Sequence, residues 1–195
     1  MGKIKKNING YILAGGKSSR MGTDKGLMLY KGKEIIKYSM EQLQPIVDKV
    51  VIVSNNMEYE KLGVEVIPDL IKDIGPAGGI YSALDHSDVN LNFIVSCDMP
   101  FITKEAINFI IENTSSSQIT LPCHHGQLEP LFGVYTKTCL VQWLTLINQG
   151  CIKIKDLASN FDLRTINIDD NELFHPTFFT NINTKEDFLK AFHAE

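Results

Sequence analysis

The chain has 195 residues, of which 44% are apolar and 22% are charged, and its formal net charge is −4. This length and composition are typical of one globular domain with a full apolar core, and the acidic balance argues against a nucleic-acid-binding protein. Because no apolar run approaches the roughly 20 residues of a membrane helix, and the N-terminal lysines lack the apolar segment of a signal peptide, we expect a cytoplasmic protein without nucleic-acid or membrane partners.

Short apolar runs alternate with helical repeats along the chain. Before residue 115 this pattern predicts, in order, strand 9–13, helix 34–43, strand 49–54, strand 64–69, helix 78–87, strand 91–100 and helix 103–113. Beyond a polar stretch it predicts strands 119–123, 130–135 and 163–168, a helix at 137–149 and a last helix after residue 187. The alternation favours a three-layer, Rossmann-like α/β/α fold with a mostly parallel sheet and a smaller, less regular later lobe.

The segment ILAGGKSSRMGTDKG, residues 12–26, carries four glycines and three cationic side chains directly behind the first predicted strand. In open α/β sheets, ligands bind beyond the carboxyl ends of the strands. Gly15 and Gly16 allow the main chain to turn its amides toward an anion, while Arg20 and Lys25 supply positive charge. The segment therefore predicts a polyphosphate-binding loop, with a solvated surface turn as the alternative.

Two widespread phosphate-binding patterns do not fit this loop. A Walker A sequence that ended at Gly16-Lys17-Ser18 would need glycine at residue 11, which is Tyr11. The dinucleotide-binding fingerprint fails as well, since the glycines stand at positions 15, 16 and 22. A P-loop-like GTP-binding regulator is therefore kept only as an alternative.

The loop resembles a family signature. LAGGKSSRMGTDKGL, residues 13–27, is similar to the signature of nucleotidyltransferases with a glycosyltransferase-A-like fold, and its ending in Asp-Lys-Gly-Leu is similar to the molybdenum cofactor guanylyltransferases. The resemblance continues through VIPD, IGPAGGI, SCDMPF, EPLFGVY and NINTKEDF, and so spans almost the whole chain. It implies a single domain, residues 1–195, with a nucleotide-binding half at about 8–115 and an acceptor-side half at about 116–195.

The resemblance also assigns roles to individual residues. The positions carried over are Leu13, Ala14, Gly15, Lys25, Asp69 and Asp98. The first three would line the guanine nucleotide, the lysine would contact its phosphates, and the two aspartates would serve nucleotide and magnesium. The chain departs from the pattern at Ser54, where a relative has asparagine, and Asn55 or Asn56 could take that place.

Two carboxylates follow predicted strands. Asp98 comes directly after FIVSC, and a single carboxylate there suits Mg²⁺, which takes oxygen ligands from carboxylates and substrate phosphates. A helix-capping role is less favoured, because Thr103 can cap the next helix itself. Asp69 ends the third predicted strand and could equally be a turn residue.

Glycines and asparagines add further candidates. Gly78 lies among the glycines that open the second predicted helix, whose N-terminus could meet an anion or a base edge. Asn181 and Asn183 stand at alternate positions of a predicted extended segment, so both can face one side. They would bind metal or the acceptor, or else cap the last helix.

The implied reaction is nucleotidyl transfer with Mg²⁺ as cofactor. The terminal phosphate of molybdopterin, with or without molybdenum, would attack the α-phosphorus of GTP, with Arg20, Lys25 and Asp98 as the catalytic residues. Other cofactor-biosynthesis proteins and recipient molybdoenzymes are further partners to consider. The alternatives are a molybdopterin cytidylyltransferase, a sugar-phosphate nucleotidyltransferase of the same fold, and a non-catalytic partner-binding protein.

The cysteines and histidines carry weaker patterns. Cys97, Cys123, Cys139 and Cys151 have no metal-binding spacing, and we expect reduced thiols. In Cys123-His124-His125, adjacent residues on a strand would point to opposite faces, which argues against a metal site. We expect these residues to line the acceptor side instead.

Overall fold

The computed structural model describes residues 7–15, 24–175 and 177–179. Its strands are β1 (Ile8–Leu13), β2 (Leu29–Tyr30), β3 (Lys33–Glu34), β4 (Val50–Val53), β5 (Glu65–Ile67), β6 (Leu91–Ser96), β7 (Ile119–His124), β8 (Gln127–Leu128), β9 (Phe132–Thr136) and β10 (Leu163–Asn167). Its α-helices are α1 (Ile35–Leu43), α2 (Pro76–His86), α3 (Lys104–Glu112), α4 (Leu140–Asn148) and α5 (Ile154–Ala158). Short 3₁₀ helices cover Lys25–Leu27, Met57–Leu62 and Lys137–Cys139.

One mixed sheet runs through the described residues, with the strand order β10-β7-β9-β6-β1-β4-β5. β1 lies between β6 and β4 and is parallel to both, while β5 is parallel to β4 and β10 to β7. β9 runs antiparallel to β6 and β7, and so joins the later strands to the same sheet. The predicted mostly parallel α/β fold is confirmed, and the boundary between its two halves stays a prediction.

Two apolar clusters cover the two faces of the sheet. Alternate residues of β1 point to opposite sides, as the period of a strand requires. Ile8 and Ile12 pack in the cluster that includes α1 and α3, whereas Tyr11 and Leu13 pack in the cluster that includes α2, α4 and α5. Because every residue of β1 is buried, the strand's carboxyl end is held firmly where the glycine-rich segment begins.

The predicted elements agree with the structure except at their ends and for the shortest pieces. The helix predicted at 78–87 begins at Pro76, because Gly75, with a φ of 68°, forms its N-cap. Thr103 caps α3 as predicted, since its hydroxyl accepts a hydrogen bond from the amide of Ala106 at 3.2 Å. The β2–β3 hairpin, β8 and α5 were not predicted. The helix predicted after residue 187 lies outside the described residues.

Among the residues described, the helices are all too short or too polar to cross a lipid bilayer.

Candidate functional site

A cleft of about 760 Å³ opens at the carboxyl ends of β1, β4 and β6. Its floor is formed by the last residues of these strands, Leu13, Val53 and Ser96. One wall comes from the segment between β5 and α2 together with the first turn of α2. The position agrees with the rule that open α/β sheets bind ligands beyond the carboxyl ends of their strands, and the volume suits a ligand of nucleotide size.

The chain leaves β1 with its backbone paired on both sides. The amide of Ala14 donates to the carbonyl of Val53 at 2.9 Å, and the amide of Cys97 donates to the carbonyl of Leu13 at 3.1 Å. Ala14 is fully buried, whereas Gly15 lines the cleft. A methyl group added at Gly15 would meet no atom of the described residues within 4 Å. The main chain at Gly15 is therefore open to close approach by a ligand.

The far end of the glycine-rich segment, residues 24–26, is held by side-chain hydrogen bonds. The Asp24 carboxylate accepts hydrogen bonds from the hydroxyl of Tyr59, the amide of Gly26 at 3.2 Å and the side-chain amide of Asn56 at 3.4 Å. Tyr59 is fully buried, and this burial raises its pKa, which keeps the phenol in its donating form. Lys25 thus stands between Asp24, which accepts a hydrogen bond from Tyr59, and Gly26, whose amide donates to Asp24.

Asp98 lies just beyond β6 at the edge of the cleft. The Ser96 hydroxyl donates to its carboxylate at 2.6 Å, and this orients the side chain. Between them, the thiol of Cys97 has a raised pKa, because it is buried and because Asp98 and Asp24 add negative charge, while Lys25 acts in the opposite direction. Cys97 packs in the same apolar cluster as Tyr59, whose hydroxyl donates to Asp24, so the end of β6 and the end of the glycine-rich segment lie on the same face of the sheet.

Asp69 begins the loop that forms the opposite wall, residues 69–75. Asn55 accepts a hydrogen bond from the Asp69 amide at 3.2 Å, and the Asp69 carboxylate accepts one from the Ile71 amide at 3.1 Å. Burial raises the pKa of Asp69, while the hydrogen bonds from Ile71 and from the hydroxyl of Ser82 lower it in part. A methyl group at Gly78 would collide with the Ile71 carbonyl, so this loop packs directly on α2.

The N-terminus of α2 lies at the cleft. Gly75 and Pro76 line the cleft at the helix N-terminus, where the helix dipole favours a negative ligand. The helix is fixed from behind, because the indole of Trp143 donates to the carbonyl of Ala77 at 3.1 Å. Apolar surface completes the cleft, as Ile74 and Ile152 also line it. A base or pterin ring could pack on this surface while phosphates face the polar end.

Over residues 10–160 the sequence matches the MobA-like NTP transferase domain. The chain belongs to this family. It is 37% identical over 183 residues to a Flavobacterium johnsoniae protein named "Probable molybdenum cofactor guanylyltransferase", an alignment that covers 93% of this chain and 95% of the relative. A Carboxydothermus hydrogenoformans protein of the same name is 33% identical, with 95% of each chain covered.

A solved structure supports the same assignment. The crystal structure of molybdopterin-guanine dinucleotide biosynthesis protein A from Archaeoglobus fulgidus has a TM-score of 0.78 and 27% identity to this chain, and covers 95% of this chain and 97% of its own. The resemblance that the motifs indicated is therefore confirmed. As a MobA-like protein, the chain is a nucleotidyltransferase.

The MobA-like cleft brings together most of the predicted site residues that the structure describes. Those that line it are Leu13, Gly15, Asn55, Asp69 and Asp98. Three other described site residues do not line the cleft. Ala14 is buried and contributes through its main chain, Gly78 packs on the 69–75 loop, and Lys25 lies in the short 3₁₀ helix after Asp24. The role of each in binding stays a prediction.

Four predicted site residues lie outside the described residues: Gly16, Arg20, Asn181 and Asn183. This chain has Ser54 where a relative has asparagine, and Asn55 or Asn56 was expected to take that place. Ser54 and Asn55 both line the cleft, whereas the side chain of Asn56 donates a hydrogen bond to Asp24. Of the two asparagines, Asn55 is therefore the one that lines the cleft, and its role in binding stays a prediction.

Sequence reasoning missed other residues of the cleft. Lys72 lines the cleft from the 69–75 loop. The sequence carried a signal for it, because Lys72 follows Asp69 by three residues and precedes the glycine-rich start of a predicted helix. Ile152 reaches the cleft from the turn after α4, and Leu131 from the chain ahead of β9. No local pattern marks these two, because their place depends on how the later strands join the sheet.

His124 and His125 do not point to opposite faces of one strand, and this expectation was wrong. His124 is the last residue of β7, and His125 already belongs to a turn, with a φ of 48°. Strand alternation therefore does not apply to the pair, and the two imidazole rings lie with their centroids 4.1 Å apart.

Proposed function

We propose that this nucleotidyltransferase transfers GMP from GTP to the terminal phosphate of molybdopterin, with or without molybdenum, and releases pyrophosphate. One observation carries the proposal most directly: the Asp98 carboxylate lines the cleft together with Gly15 of the glycine-rich segment, and the same segment supplies the cation of Lys25. A triphosphate needs such a pair, because the cation neutralises its charge and the carboxylate can hold a metal. The names of the relatives support GTP as the donor and the molybdenum cofactor as the acceptor.

The arrangement of the cleft supports one orientation of the nucleotide. The main chain at Gly15 suits phosphate groups, since it offers main-chain amides and no described atom lies within 4 Å of a methyl group added there. The apolar surface of Ile74 and Pro76 suits a flat ring. We therefore place the triphosphate between Gly15 and Asp98, and the base against the 69–75 loop.

The reaction forms one bond and breaks one bond. An oxygen of the acceptor's terminal phosphate bonds to the α-phosphorus of GTP, and the bond from that phosphorus to the oxygen bridging the α- and β-phosphates breaks. The bridging oxygen leaves with the electron pair as part of pyrophosphate. Since the attacking oxygen is already anionic, no side chain has to remove a proton, and catalysis rests on positioning and charge neutralisation.

The residues at the end of β6 fit a magnesium ion. Asp98 offers a hard carboxylate oxygen at the cleft, and the Ser96 hydroxyl fixes its orientation at 2.6 Å. Mg²⁺ is commonly held by one or two carboxylates together with substrate phosphates. Bound there, the ion would supply positive charge to the phosphates of GTP.

Lys25 would neutralise the phosphates from the other side. Its ammonium group is a compact charge on a flexible stem, which suits an ion that moves as pyrophosphate leaves. The hydrogen bonds of Asp24 to Tyr59 and Gly26 fix the main chain on both sides of Lys25, so only its side chain needs to adjust. Arg20 would add a second cation from the same loop.

A nucleotide-specificity assay tests the proposal. Purified protein is incubated with Mg²⁺, molybdopterin and one of GTP, CTP, UTP or ATP, and both pyrophosphate and the dinucleotide product are quantified. We expect product from GTP at a rate at least about tenfold above that from any other nucleotide, and a loss of about 10²–10³-fold in Asp98→Asn. Preference for CTP would indicate a cytidylyltransferase instead. Release of γ-phosphate without dinucleotide would contradict nucleotidyl transfer altogether.

A further inference from the structure

A cluster of two imidazoles and one carboxylate lies apart from the residues that line the cleft. His124, His125 and Asp169 each offer a ligand atom, and these atoms lie within 4.8 Å of one another. The cluster joins the tip of the β7–β8 hairpin to the chain just after β10. None of the three residues lines the cleft described above.

The fold places the three side chains together through two backbone features. The first is the hairpin turn, in which His125 and Gly126 both have positive φ values, 48° and 74°. This two-residue turn matches the right-handed twist of the strands, and it brings the ring of His125 beside that of His124. A histidine at a position with positive φ is uncommon, and Asn-Gly is the usual sequence for such a turn.

The second feature is the parallel pairing of β7 with β10. Asn167 pairs with Cys123, and the amide of Ile168 donates to the carbonyl of Cys123 at 3.2 Å. The chain that follows β10 therefore runs alongside the hairpin turn. Asp169 lies there with its carboxylate directed at His125.

Hydrogen bonds orient this carboxylate before any ligand arrives. The amide of His125 donates to one oxygen of Asp169 at 2.6 Å, and the amide of Asp169 donates to the side chain of Asn167 at 2.8 Å. The Nδ1 atom of His125 lies 3.6 Å from the same oxygen of Asp169. Two ligands bonded at about 2.0–2.1 Å to one tetrahedral ion stand about 3.3 Å apart, so this pair needs little movement to share an ion.

We propose that His124, His125 and Asp169 bind one divalent transition-metal ion, with zinc as the ion that best matches the ligands. Two imidazoles and a carboxylate are nitrogen and oxygen donors that zinc takes in proteins, and three protein ligands leave a fourth position for water. The side chain of His125 is 76% exposed and that of Asp169 29% exposed, so the ion can reach the site directly from solvent. The bound ion would tie the hairpin tip to the segment after β10.

The site differs in chemistry from the magnesium site proposed at Asp98. Magnesium prefers oxygen ligands and keeps several waters, whereas imidazole favours zinc, nickel, copper and cobalt. An excess of Mg²⁺ should therefore leave this cluster unaffected. The proposal does not depend on the transfer reaction, and metal binding is measured without nucleotide or molybdopterin.

Calorimetric titration of the metal-free full chain with Zn²⁺, in the presence of millimolar Mg²⁺, tests the site. We expect one strong zinc site, which weakens at least tenfold in His125→Asn and in Asp169→Asn. Asparagine suits the positive φ at residue 125 and thus preserves the turn. His175→Ala removes another exposed histidine as a matched control and should bind like the wild type.

Two further measurements complete the test. Co²⁺ should give a visible absorption band that both variants lose. Zinc at about a hundredfold excess over its Kd should raise the Tm by about 5–10 °C in the wild type and by much less in the variants. The proposal is overturned if the variants bind zinc as tightly as the wild type, or if His175→Ala weakens binding as much as His125→Asn does.

Discussion

The two sides of the cleft are held in place by different kinds of contact. On the strand side, backbone ladders fix the chain as far as Leu13 and Ser96, because β1 pairs with both neighbours along its length. On the loop side, residues 24–26 and the 69–75 loop depend on side-chain hydrogen bonds: the Tyr59 hydroxyl donates to Asp24, and the Asn55 side chain accepts from the Asp69 amide. The main chain that leads to Asp98 is therefore positioned by the sheet, whereas the main chain at Lys25 is positioned by a few side chains.

This difference separates stability from function. Substitutions among the loop-side contacts should change nucleotide binding more than the free energy of unfolding, because few core contacts depend on them. Substitutions that push into buried neighbours should do the reverse. The following variants test the distinction, from the largest expected effect to the smallest.

Lys25→Ala should have the largest effect on activity and almost none on folding. Loss of this charge removes stabilisation of the departing pyrophosphate, so we expect kcat/KM to fall at least about 100-fold, with Tm unchanged. Steady-state transfer kinetics and a thermal melt check the two parts. Lys61→Ala, an exposed lysine paired with Glu58, is the matched control and should behave like the wild type. Similar activity in both variants would remove Lys25 from the mechanism.

Two glycine substitutions compare a position against a buried side chain with a position at the cleft. In Gly26→Ala the new methyl group would collide with the buried hydroxyl of Tyr59, so we expect a loss of about 1–3 kcal/mol in the free energy of unfolding. In Gly15→Ala it would meet no described atom within 4 Å, so stability should stay the same while GTP affinity falls about tenfold. Urea unfolding and GTP titration separate the two outcomes. Unchanged GTP affinity in Gly15→Ala would place the nucleotide elsewhere.

Tyr59→Phe should have a moderate effect on binding. The variant loses one hydrogen bond to Asp24, so the free energy of unfolding should fall by about 0.5–1.5 kcal/mol. Because Lys25 then loses part of its positioning, we also expect KM for GTP to rise several-fold, about 3–10-fold, in steady-state assays. Tyr38→Phe removes a comparable hydroxyl that donates to the carbonyl of Tyr30 at 3.1 Å, and its KM should stay unchanged. An equal rise in both variants would argue against a positioning role.

Asp69→Asn should have the smallest effect and a defined pH dependence. Burial raises the pKa of this carboxyl above its usual value near 3.8, so the unfolded chain releases the proton at a lower pH than the folded chain does. The stability of the wild type therefore falls as the pH rises through this window, and the loss persists at neutral pH. Asparagine keeps an acceptor for the amide of Ile71 without the charge.

The Asp69→Asn variant should match or exceed the wild type in Tm at pH 7, because it removes the cost of holding a partly buried charge in the folded state. The difference should vanish at pH values below 3. The measurement is the Tm of the variant minus the Tm of the wild type. If this difference were smaller at pH 7 than at pH 3, burial would not be the cause of the raised pKa of Asp69.

The sequence predicted the strand side of the cleft well, for physical reasons. Continuous apolar runs identify strands buried on both faces, and a polar residue directly after such a run, like Asp98, falls at the ligand-binding edge of a parallel sheet. Loop-side contacts gave no such pattern. Tyr59 lies 35 residues from Asp24, and only the packing of the helix after β4 brings them together.

The shortest strands also lacked a local sequence pattern from which they could be predicted. The β2–β3 hairpin turns at Lys31 and Gly32, with φ values of 46° and 78°, but its two-residue strands are too short to show alternation. At the β7–β8 turn, Gly126 was a usable signal for the end of the strand. Neglecting it led to the wrong expectation for His124 and His125.

The dependence of GTP affinity on Mg²⁺ tests the central claim most directly. That claim is that the triphosphate lies between the end of β1 and a metal-binding carboxylate, Asp98. GTP is titrated by calorimetry with and without Mg²⁺ into the wild type and into Asp98→Asn. We predict that Mg²⁺ tightens GTP binding at least about tenfold in the wild type and hardly at all in the variant. Equal tightening in both proteins would contradict the claim.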